Sequence, residues 1–322
     1  MDFDRIVNPL MVLFDQDNRI NNRPTHITDM IVLTIKSLIP SENYVSTNID
    51  YTRYNEEIKL WKHYRHGENE SLMNIFEDFN PHVYWNYKDD SVYQRIMPII
   101  LVNNDFSTVK EEVIKNVLFT TGNIETLIEA LLLSGILHYQ TLDANAMIDR
   151  LKEEVINLSQ SDFLNKYKKY YRTPIETYRG NFSIDLERSK IQTLNILNLQ
   201  HSNKFKTLQD CIKTLLDNKE PETIIGKCIN AHKKDMNNEQ YDFRKYYYQL
   251  ANYVYKLRKG RIDPKTLKIE KYNLPDIFQL KEGQAFYHSL LNRSKIIRRQ
   301  ETDNNIIVHI NTKSGKYTFK KY

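Results

Sequence analysis

Apolar residues recur at intervals of three and four along most of the first 260 positions, the spacing that lines one face of an α-helix. Ile27, Met30, Ile31, Thr34, Ile35 and Leu38 make one such face, which Pro40 ends. Tyr54, Ile58, Trp61 and Tyr64 repeat the pattern up to Gly67. A short helix is expected over 71–78, before the turn at Asn80-Pro81. Residues 90–101 are apolar enough to be buried, with a break at Pro98. Residues 109–118 and 124–139 read as two helices joined by Thr120-Thr121-Gly122-Asn123. The second contains Leu131-Leu132-Leu133 and is apolar nearly all round, which places it at the centre of the packing. Further helices are expected over 144–158, 186–199, 207–216, 220–231 and 241–259, with a loop over 174–185. In the last of them Phe243, Tyr247, Leu250, Val254 and Leu257 share a face. The run Tyr246-Tyr247-Tyr248 therefore reads as packing.

The pattern changes after Asp263-Pro264, which breaks the helix. A short helix is expected over 283–291. Apolar and polar residues then alternate through 306–311 and 316–319 around Lys313-Ser314-Gly315, a hairpin signal. The expected organisation is a helical domain over 1–260 and a C-terminal appendage over 261–322. The expected fold class is all-α, with a small β-hairpin attached.

At 322 residues the chain can bury a substantial core, and its composition is that of a globular protein. Its longest apolar run, 130–137, is too short to span a bilayer. Asp2 and Asp4 stand where a secretory leader would be basic, so a cytoplasmic protein without membrane contact is expected. Two cysteines, Cys211 and Cys228, carry neither a disulfide framework nor metal-ligand spacing, and read as buried thiols. Abundant Asn, Lys, Ile and Tyr with little Ala suggest an A/T-rich coding sequence, as in low-GC bacteria, phages or large viruses.

Net charge is 46 minus 41, or +5, but it is unevenly placed. Residues 166–172, 256–261 and 295–299 are basic, and several of these cations alternate with tyrosine, as in surfaces that bind phosphates and stack bases. His63-x-x-His66 lacks the i, i+4 spacing of a helical metal site and reads as a surface cluster. Asp89-Asp90 reads as a solvated loop beside Lys88. No glycine-rich phosphate loop or nucleophile elbow is present.

Several short segments carry a resemblance through their shared order. Thr28-Asp29-Met30-Ile31 opens an apolar helix. Leu60-Trp61-Lys62-His63-Tyr64-Arg65, Gln94-Arg95-Ile96-Met97-Pro98 and Thr120-Thr121-Gly122 occupy the middle. Ile224-Ile225-Gly226-Lys227-Cys228-Ile229-Asn230 leads into Ala231-His232-Lys233-Lys234-Asp235-Met236-Asn237. Together they resemble the ADP-ribosylglycohydrolase family, with its T-D-D-T, M-R-x-x-P and G-G-D-x-D-T segments, over about residues 5 to 260. The resemblance implies an orthogonal helical bundle with two central magnesium ions. It also implies hydrolysis of the bond between ADP-ribose and a protein side chain.

The departures from that pattern concern the chemistry. Met30 and Ile31 replace an aspartate and a threonine. The late segment places Lys234 and Met236 where aspartates belong, and only a one-residue shift brings Asp235 onto a ligand position. Magnesium requires hard oxygen donors, which a thioether or an ammonium cannot supply. The expectation is therefore a pseudoenzyme with no cofactor, acting as an interaction or regulatory protein. Were it active, Asp29 and Asp235 would be catalytic, and Thr28, Asp29 and Asp235 would hold magnesium. Thr28, Asp29, Asp90, Arg95, Thr121 and Lys234 mark the remnant of the substrate cleft. The expected partner is another protein or a second copy, met through 166–172, 293–299 and an exposed edge strand at 306–311. Nucleic acid on the same basic surfaces is the alternative.

Overall fold

Short polar side chains set most of the helix starts. The computed structural model describes residues 3–42, 46–76, 78–160, 163–217, 219–231 and 242–321. Helix α1 (Asp4–Asn21) ends at Asn22, whose φ of 55° turns the chain sharply. Thr25 then caps α2 (His26–Lys36), accepting the Ile27 amide at 3.2 Å. Strands β1 (Leu38–Pro40) and β2 (Thr47–Ile49) pair antiparallel before Asp50 caps α3 (Tyr51–Trp61). Four short helices follow: α4 (Glu70–Met73), α5 (Pro81–Asn86), α6 (Val92–Arg95) and α7 (Met97–Val102). Asp105 caps α8 (Phe106–Leu118) and Asn123 caps α9 (Ile124–His138). The helical part closes with α10 (Ala144–Gln160), α11 (Phe163–Tyr167), α12 (Phe182–Leu197), α13 (Lys206–Leu216), α14 (Ile224–Ala231) and α15 (Asp242–Arg258).

Helix α9 lies at the centre, as its apolar circumference requires: all its residues from Ile124 to Leu137 are buried except Glu125. Helices α7, α8, α10, α12 and α13 pack around it, and α7 is buried along its whole length. Pro98 does not break a longer helix from within. It sits in the first turn of α7, where its missing amide hydrogen leaves no helical bond unmade. At the other side of the molecule α1 packs on α14 and α15, with Phe14 stacked on Tyr247 at 4.2 Å.

The C-terminal segment overturns the expectation of an all-α protein with a small hairpin. Although 57% of the chain is helical, β3 (Ala285–His288), β4 (Asn292–Thr302), β5 (Asn305–Thr312) and β6 (Gly315–Lys321) form a four-stranded antiparallel sheet. The expected helix over 283–291 is instead a turn at Gly283 (φ 82°), then β3, paired Ala285 to Lys295 and His288 to Asn292. Its apolar spacing suits either state, and the neighbouring strand decides between them. Strand β5 is not an edge either, because β4 and β6 bond to its two sides. Ile296, Val308, Ile310 and Phe319 pack inward with Phe278 against Leu60 and Tyr64. The Lys320 amide donates to the His63 carbonyl at 2.7 Å, tying β6 to the segment after α3. Near the N-terminus, α2 has already ended when the chain reaches Pro40, which lies in β1 opposite Thr47.

Candidate functional site

The ionisable groups nearest the resemblance converge where α2 meets the loops after α1, α3 and α5. Asp17, on the last turn of α1 and fully buried, accepts the Thr25 amide at 2.8 Å and the Thr25 hydroxyl at 2.7 Å. It also accepts the Thr28 hydroxyl at 2.6 Å. A carboxylate at the start of a helix is favoured by the free amides and the dipole there. Thr28 is therefore bound to α1, with its oxygen turned to a carboxylate as donor.

Asp29, the next residue, is almost as deeply buried. It accepts the indole N–H of Trp61 at 2.8 Å, the His66 amide at 3.0 Å and His66 Nδ1 at 3.0 Å. The bond to Asp29 raises the His66 pKa above its ordinary value, against the opposing effect of burial. His66 is half exposed and lines a cleft of about 460 Å³ together with Lys62, Arg65 and Lys320. The arrangement is an imidazole oriented by a buried carboxylate on the wall of a cationic cleft. His66 lies at the surface, as read from the sequence, and each imidazole of the pair has its own contact. His63 bonds the Lys320 carbonyl at 3.1 Å and packs on Phe278.

Asp89 is a second hub, and it corrects the reading of Asp89-Asp90 as a solvated loop. Only Asp90 is exposed. Asp89 is buried and accepts Asn69 at 3.1 Å, the Ser91 amide at 3.0 Å and the Ser71 hydroxyl. Arg95 Nη1 lies 3.8 Å from it. The rest of the guanidinium is held by Asn116 at 3.0 Å and the Thr120 hydroxyl at 2.5 Å. His26 stands among these groups. Burial lowers its pKa, while Asp89, Asp17 and Asp29 pull it up and Arg95 pushes it down.

The expected site residues are only partly brought together. Thr28, Asp29 and Arg95 all lie around His26 and its acidic neighbours. Asp90 turns away to Lys88 at 3.5 Å, and the buried Thr121 hydroxyl faces the carbonyls of Tyr84 and Tyr87. Lys234 and Asp235 lie outside the described residues. Asp17 and His26 were not singled out from sequence, while His66 and Asp89 were read there only as part of a surface cluster and of a solvated loop. For Asp89 a local signal existed, since aspartate two residues before serine favours the Asx turn seen here. For the others the decisive partners come from other elements, Thr25 for Asp17, Asp89 for His26 and Asp29 for His66.

The basic, tyrosine-bearing segment 166–172 proves to be largely internal in its aromatic part. Tyr167 is buried, Tyr171 packs on Trp85, and Arg172 lies over the Phe119 ring at 4.2 Å. Among the described residues no helix is long and apolar enough to cross a membrane. No protein-family model matches this sequence, and no curated protein or solved structure matches it.

Proposed function

We propose that this chain is a non-catalytic relative of the ADP-ribosylglycohydrolases that acts as an interaction or regulatory protein. The observation that carries this reading is the commitment of Thr28 and Asp29 to the protein itself. The Thr28 hydroxyl donates to Asp17, and the Asp29 carboxylate accepts three N–H groups from Trp61 and His66. Three of the roughly four lone-pair sites of the Asp29 carboxylate are thereby taken, which leaves it little capacity for a cation, and the Thr28 oxygen alone would be a single neutral ligand. Met30, at the position of the family's second aspartate, is buried and offers only a thioether. This donor set does not fit magnesium, which holds hard, octahedrally placed oxygens. Order and spacing of the motif remnants support the kinship. The oriented His66 at the cleft wall is compatible with anion binding and requires no turnover.

The test is release of ADP-ribose from peptides modified on arginine or serine, with magnesium present, alongside calorimetric titration of magnesium. No release and no magnesium heat are expected. Turnover that vanishes with EDTA and in Asp29→Ala would overturn the proposal and restore the hydrolase reading.

A further inference from the structure

We infer that the outer face of the C-terminal sheet binds single-stranded nucleic acid. The inner face is fixed by Ile296, Val308, Ile310 and Phe319, so the alternate residues face outward. Across the sheet the register aligns Tyr287 with Arg293, Lys295 with Asn311 and Lys316, and Arg298 with His309 and Thr318. Lys320 follows on the same face of β6, opposite Ile307. Arg293, Lys295, Arg298, Lys316 and Lys320 are all exposed. No acidic residue occupies the outward positions of these strands. The ion pair found within the sheet among the described residues, Arg299 to Glu301, joins residues of the opposite alternation.

Five cations on one face without a countercharge fit a polyanion, and two further features select its kind. Tyr287 is 51% exposed beside Arg293, and Ile297 is 44% exposed where the bulge in β4 turns it out. Exposed rings on a sheet stack unpaired bases, which a duplex keeps inside. The strip also continues beyond the sheet. Lys320 shares its cleft with Lys62 and His66, and with Arg65, which Glu68 pairs at 2.7 Å, so a strand leaving β6 meets further cationic groups in net excess. The strand expected to offer an edge to a protein partner, β5, is paired on both sides, and the edges of the sheet are β3 and β6. The inference supplies a partner for the interaction role proposed above and rests on that reading for its biological sense, though not for its physics.

The experiment is fluorescence anisotropy of the full chain with a labelled single-stranded oligonucleotide of about 20 bases. The matching duplex and vesicles containing anionic lipid are run in parallel. If five phosphates are neutralised, log affinity against log salt should fall with a slope of about −3.5. The triple variant Arg298→Glu, Lys316→Glu, Lys320→Glu should weaken binding at least about tenfold and flatten the slope by about 2. Tyr287→Ala should weaken the single strand by about tenfold and affect the duplex less. Lys204→Glu with Lys206→Glu, exposed cations outside the sheet, should bind like the parent. Circular dichroism melting of each variant separates lost binding from lost fold. The inference is overturned if the parent shows no salt-dependent oligonucleotide binding, if the control variant loses as much as the triple, or if only vesicles are bound. The hydrolase assay on the same preparation keeps the two proposals distinct: turnover with intact binding removes the pseudoenzyme reading alone.

Discussion

Six carboxylates are buried among the described residues: Asp17, Asp29, Glu57, Asp89, Glu112 and Glu129. A buried carboxylate is tolerated only when its oxygens are satisfied, and most of these organise backbone or side-chain N–H groups from distant segments. Asp29 is the clearest case, joining α2 to Trp61 and to the loop that carries His66. Asp29→Ala leaves a buried indole N–H and an amide without acceptors, so stability should fall by about 2–4 kcal/mol, measured by urea unfolding. The same change removes what raises the His66 pKa, and its ring signals in a proton NMR titration should move to lower pH. A catalytic or metal-binding aspartate held loosely for its ligand would give the reverse result on stability, with little loss or a gain.

At the scale of elements, one helix is started by another. Phe205 has a left-handed φ of 53° and offers no side-chain cap to α13. Glu129 from the centre of α9 takes that role, accepting the Leu208 amide at 2.9 Å while its second oxygen accepts the Tyr93 hydroxyl at 2.8 Å. Lys88 approaches the same carboxylate at 3.4 Å and Glu125 at 2.7 Å. Glu129→Ala removes the cap and the acceptor of the buried Tyr93 hydroxyl, while Lys88 keeps Glu125, and should cost about 2–3 kcal/mol. Amide exchange in the first turn of α13 should accelerate more than in α8, which Asp105 caps from its own segment. Equal acceleration in both helices would show that Glu129 stabilises the bundle globally and is not a local cap.

For the whole molecule, histidine burial sets the response to acid. Burial lowers the pKa of His26, His63, His138 and His288, the last to about 4. These imidazoles are held neutral, while an unfolded chain would protonate them near the ordinary value of 6.5. Their contribution is therefore complete above about pH 6.5 and is lost as pH falls toward 4. His66 works in the opposite sense, since its raised pKa adds stability at low pH that fades as pH rises through its folded value. Four lowered groups against one raised one predict a urea midpoint that drops on acidification from pH 6.5 to 4. His288→Gln should flatten part of that drop, because His288 is buried where its Nδ1 accepts the Leu290 amide. A midpoint unchanged over this range would refute the assignment.

Most of the helical course of the first 260 residues could be read from the chain because an amphipathic stripe is a local pattern, written within ten or fifteen residues, though the β1–β2 pair and the start of α12 at Phe182 were missed. The central position of α9 followed in the same way from its uniformly apolar surface. What the chain left undecided was every question of partnership. Residues 283–291 suit a helix or a strand, and only the presence of β4 alongside made them a strand. The hairpin at the C-terminus was legible from alternation, yet whether β5 was an edge depended on a fourth strand that the pattern did not reveal. The tyrosines of 166–172 looked like a stacking surface until Trp85 and Phe119, far away in sequence, covered part of them. The candidate site shows the same division. Thr28 and Asp29 could be found by motif, but their hydrogen-bond partners come from Asp17, Trp61 and His66. Covalent order fixes which donors and acceptors a segment carries. Folding alone decides which of them meet, because that depends on distances between segments that sequence spacing does not encode.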